Sequence, residues 1–275
     1  MNVIFFGSSK FILPVIEVLR GNYNLLQVVT TEKNGGAVPS FCEQNKIPCK
    51  SVNSLKENID SVLKIKADIA VVADFGLIIP KKILNAYPKG IINIHPSLLP
   101  KYRGPSPVQT AILDGDNLTG VSIMKLDQEI DHGPILGQIQ EKILDTDTAE
   151  TLYESLFDMG ADLLIKSLDK YFNKKSEPIL QQHKNATFTK ILTREDGYIN
   201  LSTIKTEKEK QKIERMIRAY YPWPGMWTKK TLSGKEKIIK FLPENKIQVE
   251  GKKPMTYKDF LNGYPNSENL LKPIF

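Results

Sequence analysis

Asn93-Ile94-His95 ends the apolar run Gly90-Ile91-Ile92 and is followed at once by Pro96-Ser97-Leu98-Leu99-Pro100-Lys101-Tyr102-Arg103-Gly104. Further along comes Asp127-Gln128-Glu129-Ile130-Asp131-His132-Gly133. If the apolar run is a strand, side-chain alternation puts Asn93 and His95 on one face and Ile92 and Ile94 on the other. An amide donor and an imidazole then point the same way from a strand end, and Asp131 offers a carboxylate. These are the parts needed to stabilise an oxyanion and move protons during attack on a carbonyl. Each residue alone also has an ordinary reading. A strand-end His is more often solvated or hydrogen-bonded than catalytic, and an Asp ahead of a Gly is most often a turn former. The joint presence of all three with the Ser97 to Gly104 segment favours chemistry.

The elements that must position these residues are legible as alternating short strands and helices. Asn2 to Phe6, Leu25 to Thr30, Ile69 to Ala73, Ile91 to Ile94 and Val121 to Leu126 read as strands. Between them Phe11 to Arg20, Pro39 to Gln44, Leu55 to Lys64, Pro80 to Asn85 and Ser106 to Leu113 read as helices or single turns. Such alternation implies right-handed crossovers and an α/β fold with a doubly wound, mostly parallel sheet. Ligands of such sheets bind beyond the carboxyl ends of the strands, where Asn93 and His95 would lie. Thr148 to Leu168 reads as a long amphipathic helix, and Lys174 to Arg194 as a polar connection. Glu207 to Arg218 is a charged helix stopped by Pro222-Trp223-Pro224-Gly225. Strand candidates follow at Met226 to Leu232, Glu236 to Leu242 and Lys246 to Val249, so a small β-rich second domain is expected from about residue 200. The expected domains are 1–193 and 200–275.

Composition narrows the classes. Of 275 residues, 41% are apolar and 25% charged, as in ordinary globular proteins. No apolar run approaches the ~20 residues of a membrane span. Met1 to Gly7 lacks a basic region ahead of its apolar stretch and reads as a buried first strand rather than a signal peptide, so a cytoplasmic address is expected. Cys42 and Cys49 have neither paired metal-ligand spacing nor neighbouring histidines, so structural thiols and no metal are expected. Gly7-Ser8-Ser9 lacks the three-glycine dinucleotide fingerprint. A net charge of +7 permits a polyanionic partner without requiring one. His132 reads as an exposed loop residue, and His183 falls in the polar connection.

Asn-x-His, then Ser-Leu-Leu-Pro-x-Tyr-Arg-Gly, then Asp-x-x-x-Asp-x-Gly resemble the signature of the folate-dependent formyltransferases. Ile217-Arg218-Ala219-Tyr220-Tyr221-Pro222-Trp223-Pro224-Gly225 and Glu250-Gly251-Lys252-Lys253-Pro254-Met255 resemble the C-terminal region of the methionyl-tRNA formyltransferases. The resemblance implies Asn93, His95 and Asp131 as catalytic residues. It implies 10-formyltetrahydrofolate as formyl donor, held by Ser97, Leu98, Leu99 and Pro100 and by a wall of Phe75, Gly76 and Leu77 at the end of the preceding strand. It implies initiator methionyl-tRNA as acceptor, with Arg103, Arg218, Lys252 and Lys253 as contacts and a shortened, β-barrel-like second domain that grips RNA; the protein is expected to act as a monomer. The loop Thr31-Glu32-Lys33-Asn34-Gly35-Gly36-Ala37 is shorter and less basic than the corresponding loop of the tRNA enzymes. The alternatives are a sugar-nucleotide N-formyltransferase, whose core is similar, and a non-catalytic RNA-binding protein, against which the intact trio argues.

Overall fold

A computed structural model describes residues 1–33 and 35–267; Asn34 of the short loop and residues 268–275 of the expected second domain lie outside the described residues. By Cα packing the chain forms two compact units, the first made of Met1–Pro107, Leu118–Lys142 and Tyr153–Thr189, the second of Val108–Asn117, Ile143–Leu152 and Lys190 onward.

The first unit is built on a seven-stranded sheet in the order β3-β2-β1-β4-β5-β6-β7. Its strands are β1 (Asn2–Gly7), β2 (Asn24–Thr30), β3 (Cys49–Ser51), β4 (Ile69–Ala73), β5 (Ile91–His95), β6 (Leu118–Lys125) and β7 (Ile135–Lys142). Its helices are α1 (Leu13–Asn22), α2 (Ala37–Gln44), α3 (Ile59–Leu63) and α4 (Lys81–Leu84); next in chain order come α5 (Pro107–Asp114), which falls in the second unit after Pro107, and α6 (Ala149–Phe172), which belongs to the first from Tyr153 on. Strands β3 to β5 pair in parallel, whereas β6 runs antiparallel to β5 and β7 antiparallel to β6. The doubly wound α/β fold expected from the alternation is the one observed. Two edge strands escaped the sequence reading for a physical reason. β3 has only three residues, and β7 is mostly polar and exposed beyond Ile135, so neither shows the apolar run of a central strand.

Central strands are buried on both faces, which explains their unbroken Val, Ile and Phe content. On one face Ile4 and Phe6 of β1, Ala70 and Val72 of β4 and Ile91 of β5 pack with Val62 of α3, Ile83 of α4 and Phe75. Val72 pairs with Asn93 across the parallel β4–β5 ladder, so Asn93 continues this apolar face at its carboxyl-terminal end. Ile94 points the other way, toward α6: a Cβ on Gly160 would lie 2.9 Å from the Ile94 Cγ2, and only the missing side chain lets the helix approach so closely. The fold thus presses β5 from behind and leaves its polar residues facing the strand-end loops.

The second unit carries an antiparallel meander in the order β11-β10-β9-β8, made by β8 (Met226–Leu232), β9 (Lys235–Leu242), β10 (Lys246–Val249) and β11 (Met255–Thr256). Met226, Ile239, Phe241, Ile247, Val249 and Phe260 of α8 (Tyr257–Gly263) are buried there. Helix α7 (Glu207–Ala219) starts in a capping box, the Thr206 hydroxyl accepting from the Glu209 N–H while Glu209 accepts from the Thr206 N–H at 2.8 Å. The Lys205 N–H, at 2.7 Å, followed by the Thr206 N–H and hydroxyl, donate to the exposed Glu209 carboxylate and hold it below its usual range. Among the described residues no helix is long and apolar enough to cross a membrane.

Phe6 is fully buried and meets the Phe75 ring edge-on at 5.5 Å. Phe6→Ala should therefore lower unfolding free energy by about 3–5 kcal/mol in urea titrations. Ile78→Ala, at a side chain 90% exposed, should stay within about 0.5 kcal/mol. Equal effects of the two would contradict the packing described.

Candidate active site

His95 closes β5 with 4% of its surface exposed, opposite Ser122 of β6. Its Nε2 lies 2.9 Å from the Tyr102 carbonyl oxygen. A carbonyl can only accept, so Nε2 carries the hydrogen and the tautomer is fixed. Nδ1 then faces Asp131 Oδ2 at 3.6 Å, as a lone pair when the ring is neutral and as a donor when it is a cation.

Asp131 is held from three sides. Its Oδ1 accepts from Asn93 Nδ2 at 3.2 Å and its Oδ2 from the Gly104 N–H at 2.8 Å, and its backbone sits at φ +47°, in the left-handed region. Gly104 is required for that contact: it adopts φ +107°, and a Cβ there would lie 2.8 Å from Thr189 Oγ1. Gly133 closes the Asp131 turn where any Cβ would collide with the Lys125 carbonyl. The three residues singled out by spacing are therefore neighbours in space, brought together by β5, the loop after it and the turn between β6 and β7.

The Ser97 to Gly104 loop is tied to the sheet by its own polar groups. Ser97 Oγ donates to the Lys101 carbonyl at 2.6 Å, Ser122 Oγ donates to the Ser97 carbonyl at 2.6 Å, and the Leu99 N–H donates to Ser122 Oγ at 3.0 Å. Gln138 Nε2 reaches both the Leu99 carbonyl and Ser122 Oγ. The Ser97 hydroxyl is thus engaged within the loop; Leu99 is buried against Met124 and Ile135, while Leu98 and Pro100 are half-buried. Leu126 packs against this cluster and also against the one containing Phe75, Leu77 and Ile79. Gly76 sits at φ +77°. Phe75 and Leu99 are buried, whereas Leu77, Ile79 and Leu126 are half-buried.

Arg103 is only 3% exposed. Its guanidinium donates to Gln181 Oε1 from Nε and Nη2 at 3.2 and 2.7 Å, donates from Nη2 to His183 Nδ1 at 2.9 Å, and lies 5.9 Å over the Phe188 ring. Two expectations change here. His132 is half-buried, bonds Asp127 Oδ2 through Nδ1 at 2.6 Å and stacks on His183 with ring centroids 3.9 Å apart. The stretch around Lys174 to Arg194 is more than a connection, since Ile179 pairs with Ile135 and Phe188 with Arg103. Its polar composition concealed side chains that turn inward singly rather than as a periodic face.

In the second unit, half-buried Arg218 donates to the carbonyls of Asp147 and Leu144 at 2.8 and 3.4 Å. Lys252 and Lys253 are exposed on the turn between β10 and β11. Trp223 is 56% exposed. The packed indole is Trp227, whose Nε1 donates to the Arg194 carbonyl at 3.0 Å beneath the Arg194 guanidinium.

Residues 1–168 match the family model described as formyl transferase. A methionyl-tRNA formyltransferase of Chloroflexus aurantiacus is 38% identical over 240 residues, which is 83% of this chain and 76% of that protein. One from Thermodesulfovibrio yellowstonii is 33% identical over 306 residues, covering 98% of this chain and 97% of its own. Among solved structures, a sugar N-formyltransferase from Shewanella superposes with a TM-score of 0.69 at 21% identity over 89% of this chain and 98% of that one, a likeness of fold. Identity and coverage of this order place the chain in the methionyl-tRNA formyltransferase family of the formyl transferases.

Proposed function

We propose that the chain transfers the formyl group of 10-formyltetrahydrofolate to the α-amino group of methionyl initiator tRNA. The observation that carries the chemistry is the convergence of Asn93, His95 and the Gly104 N–H on the Asp131 carboxylate. The acceptor rests on the relatives named above, which span most of the chain.

The donor, when bound, supplies a formyl carbon attached to a nitrogen leaving group. Half-buried Leu77 and Leu126, packed on the clusters of Phe75 and Leu99, with the irregular backbone of Gly76 to Ile79 beside them, suit a flat heterocycle that needs both apolar contact and backbone hydrogen bonds. Asn93 spends one amide hydrogen on Asp131 and has a second for the formyl oxygen as negative charge gathers there. Asp131 takes the proton that the attacking amine must lose. His95, its Nε2–H committed to Tyr102, exchanges protons at Nδ1 beside Asp131, so the pair can return that proton to the departing nitrogen. One C–N bond forms, one breaks, and the proton balance closes.

Residues 1–193 are assigned the chemistry and 200–275 the grip on tRNA, with exposed Lys252 and Lys253 as phosphate contacts, Arg218 shaping the surface around them and Arg103 fixing the loop beside the acceptor. A chain of net charge +7 favours such a partner. The short 31–37 loop leaves more of the binding to the second domain.

Two outcomes are expected. With 10-formyltetrahydrofolate, charged initiator tRNA should be formylated and an amino-sugar nucleotide should not, and KM for the tRNA should rise steeply with salt because each neutralised phosphate releases counterions. Lys252→Ala with Lys253→Ala should raise that KM and flatten the salt slope. Preference for the sugar nucleotide would transfer the assignment, and no transfer to either would leave an RNA-binding protein. Separately, Asn93→Ala and His95→Ala should each lower kcat by ~10²–10³ with the fold intact. The double change should be far from multiplicative, as for groups acting as one unit; near-normal turnover in His95→Ala would remove the mechanism.

A further inference from the structure

Gln181 lies in the segment that the sequence marks as a polar connection, yet it is 5% exposed and both ends of its amide are engaged. Nε2 donates to the carbonyls of Asp131 and Gly133, each at 2.8 Å, and Oε1 accepts twice from Arg103. A guanidinium only donates and a carbonyl only accepts, so the amide can sit one way round. Arg103 fixes that orientation, and is itself steadied by His183 Nδ1, which must present its lone pair to Nη2.

The two carbonyls that Gln181 grips belong to the turn that carries Asp131. At φ +47° Asp131 sits in the left-handed region, uncommon for a residue with a Cβ, so its surroundings help decide whether the turn persists. Two hydrogen bonds from one buried amide do that. Without them the 131–133 backbone is free to return to negative φ, which swings the carboxylate away from the Gly104 N–H and from His95.

We propose that Gln181 is a positioning residue for Asp131: a buried amide, oriented by Arg103, that holds the left-handed turn at 131–133 and so keeps the carboxylate against His95. Arg103 accordingly acts through Gln181, at one remove from the reacting atoms. The proposal rests on Asp131 belonging to the reacting centre, as argued above.

The test is a double-mutant cycle on the full chain, with formyl transfer from 10-formyltetrahydrofolate to charged initiator tRNA as readout. Gln181→Ala should lower kcat about 10- to 100-fold, the scale expected for misplacing a reacting group by about an ångström, with KM for both substrates little changed. Gln181→Glu keeps the volume and the acceptor toward Arg103 but loses the donor to the two carbonyls, so it should fall as far, and it serves if the alanine variant does not fold. In an Asp131→Asn background either change should add less than about twofold, because residues that act as one unit are non-additive. A kcat near wild type in Gln181→Glu, or a full multiplicative loss on top of Asp131→Asn, would overturn the proposal while leaving the proposed function standing. Wild-type turnover in Asp131→Asn alone would overturn both.

Discussion

A carboxylate in a left-handed turn, Asp131, is the point on which the site is hung. Its two oxygens are divided between the Asn93 amide and the Gly104 N–H, and the imidazole of His95 faces it at 3.6 Å. Every one of these partners comes from β5 or the loop that leaves it, so the β5 strand end and the turn between β6 and β7 have meaning only in each other's presence. Two glycines mark where the chain was compressed to allow this, Gly104 against Thr189 and Gly133 against Lys125. The sheet supplies rigidity rather than chemistry. β5 is hydrogen-bonded on both sides, parallel to β4 and antiparallel to β6, and Ile94 is pinned from behind by α6, so Asn93 and His95 have little freedom to drift.

Protons in the pair are sorted by hydrogen-bond type. The Tyr102 carbonyl claims Nε2–H of His95 and leaves Nδ1 as the nitrogen whose state can change. That nitrogen is the one beside Asp131, 3.6 Å from its Oδ2. The solved sugar N-formyltransferase from Shewanella shares the fold.

Periodicity exposed the central strands because burial on both faces demands unbroken apolar runs, and alternation alone placed Asn93 and His95 on one face. Asp131 follows the strand candidate Val121 to Leu126, which can bring it to the same sheet rim, and the resemblance to a known motif is what assigns it with the pair. Gln181 and His183 left no signal at all. Their segment is polar, irregular and short of repeating apolar positions, and what organises it is a pair of isolated bridges, Ile179 to Ile135 and Phe188 to Arg103. Trp223 and Trp227 show the same limit. Residue type does not tell them apart, yet Trp223 is exposed and Trp227, set in β8, is buried.

The arrangement of protons at His95 is open to direct measurement by ¹⁵N NMR of the histidine-labelled protein, with His95→Ala assigning the resonances. The account predicts Nε2 bearing hydrogen across the whole titration, with only Nδ1 passing between lone-pair and protonated states. A neutral ring with hydrogen on Nδ1 and a bare Nε2 would contradict it, because the nitrogen facing Asp131 would then be a fixed donor and the pair could not pass a proton as described.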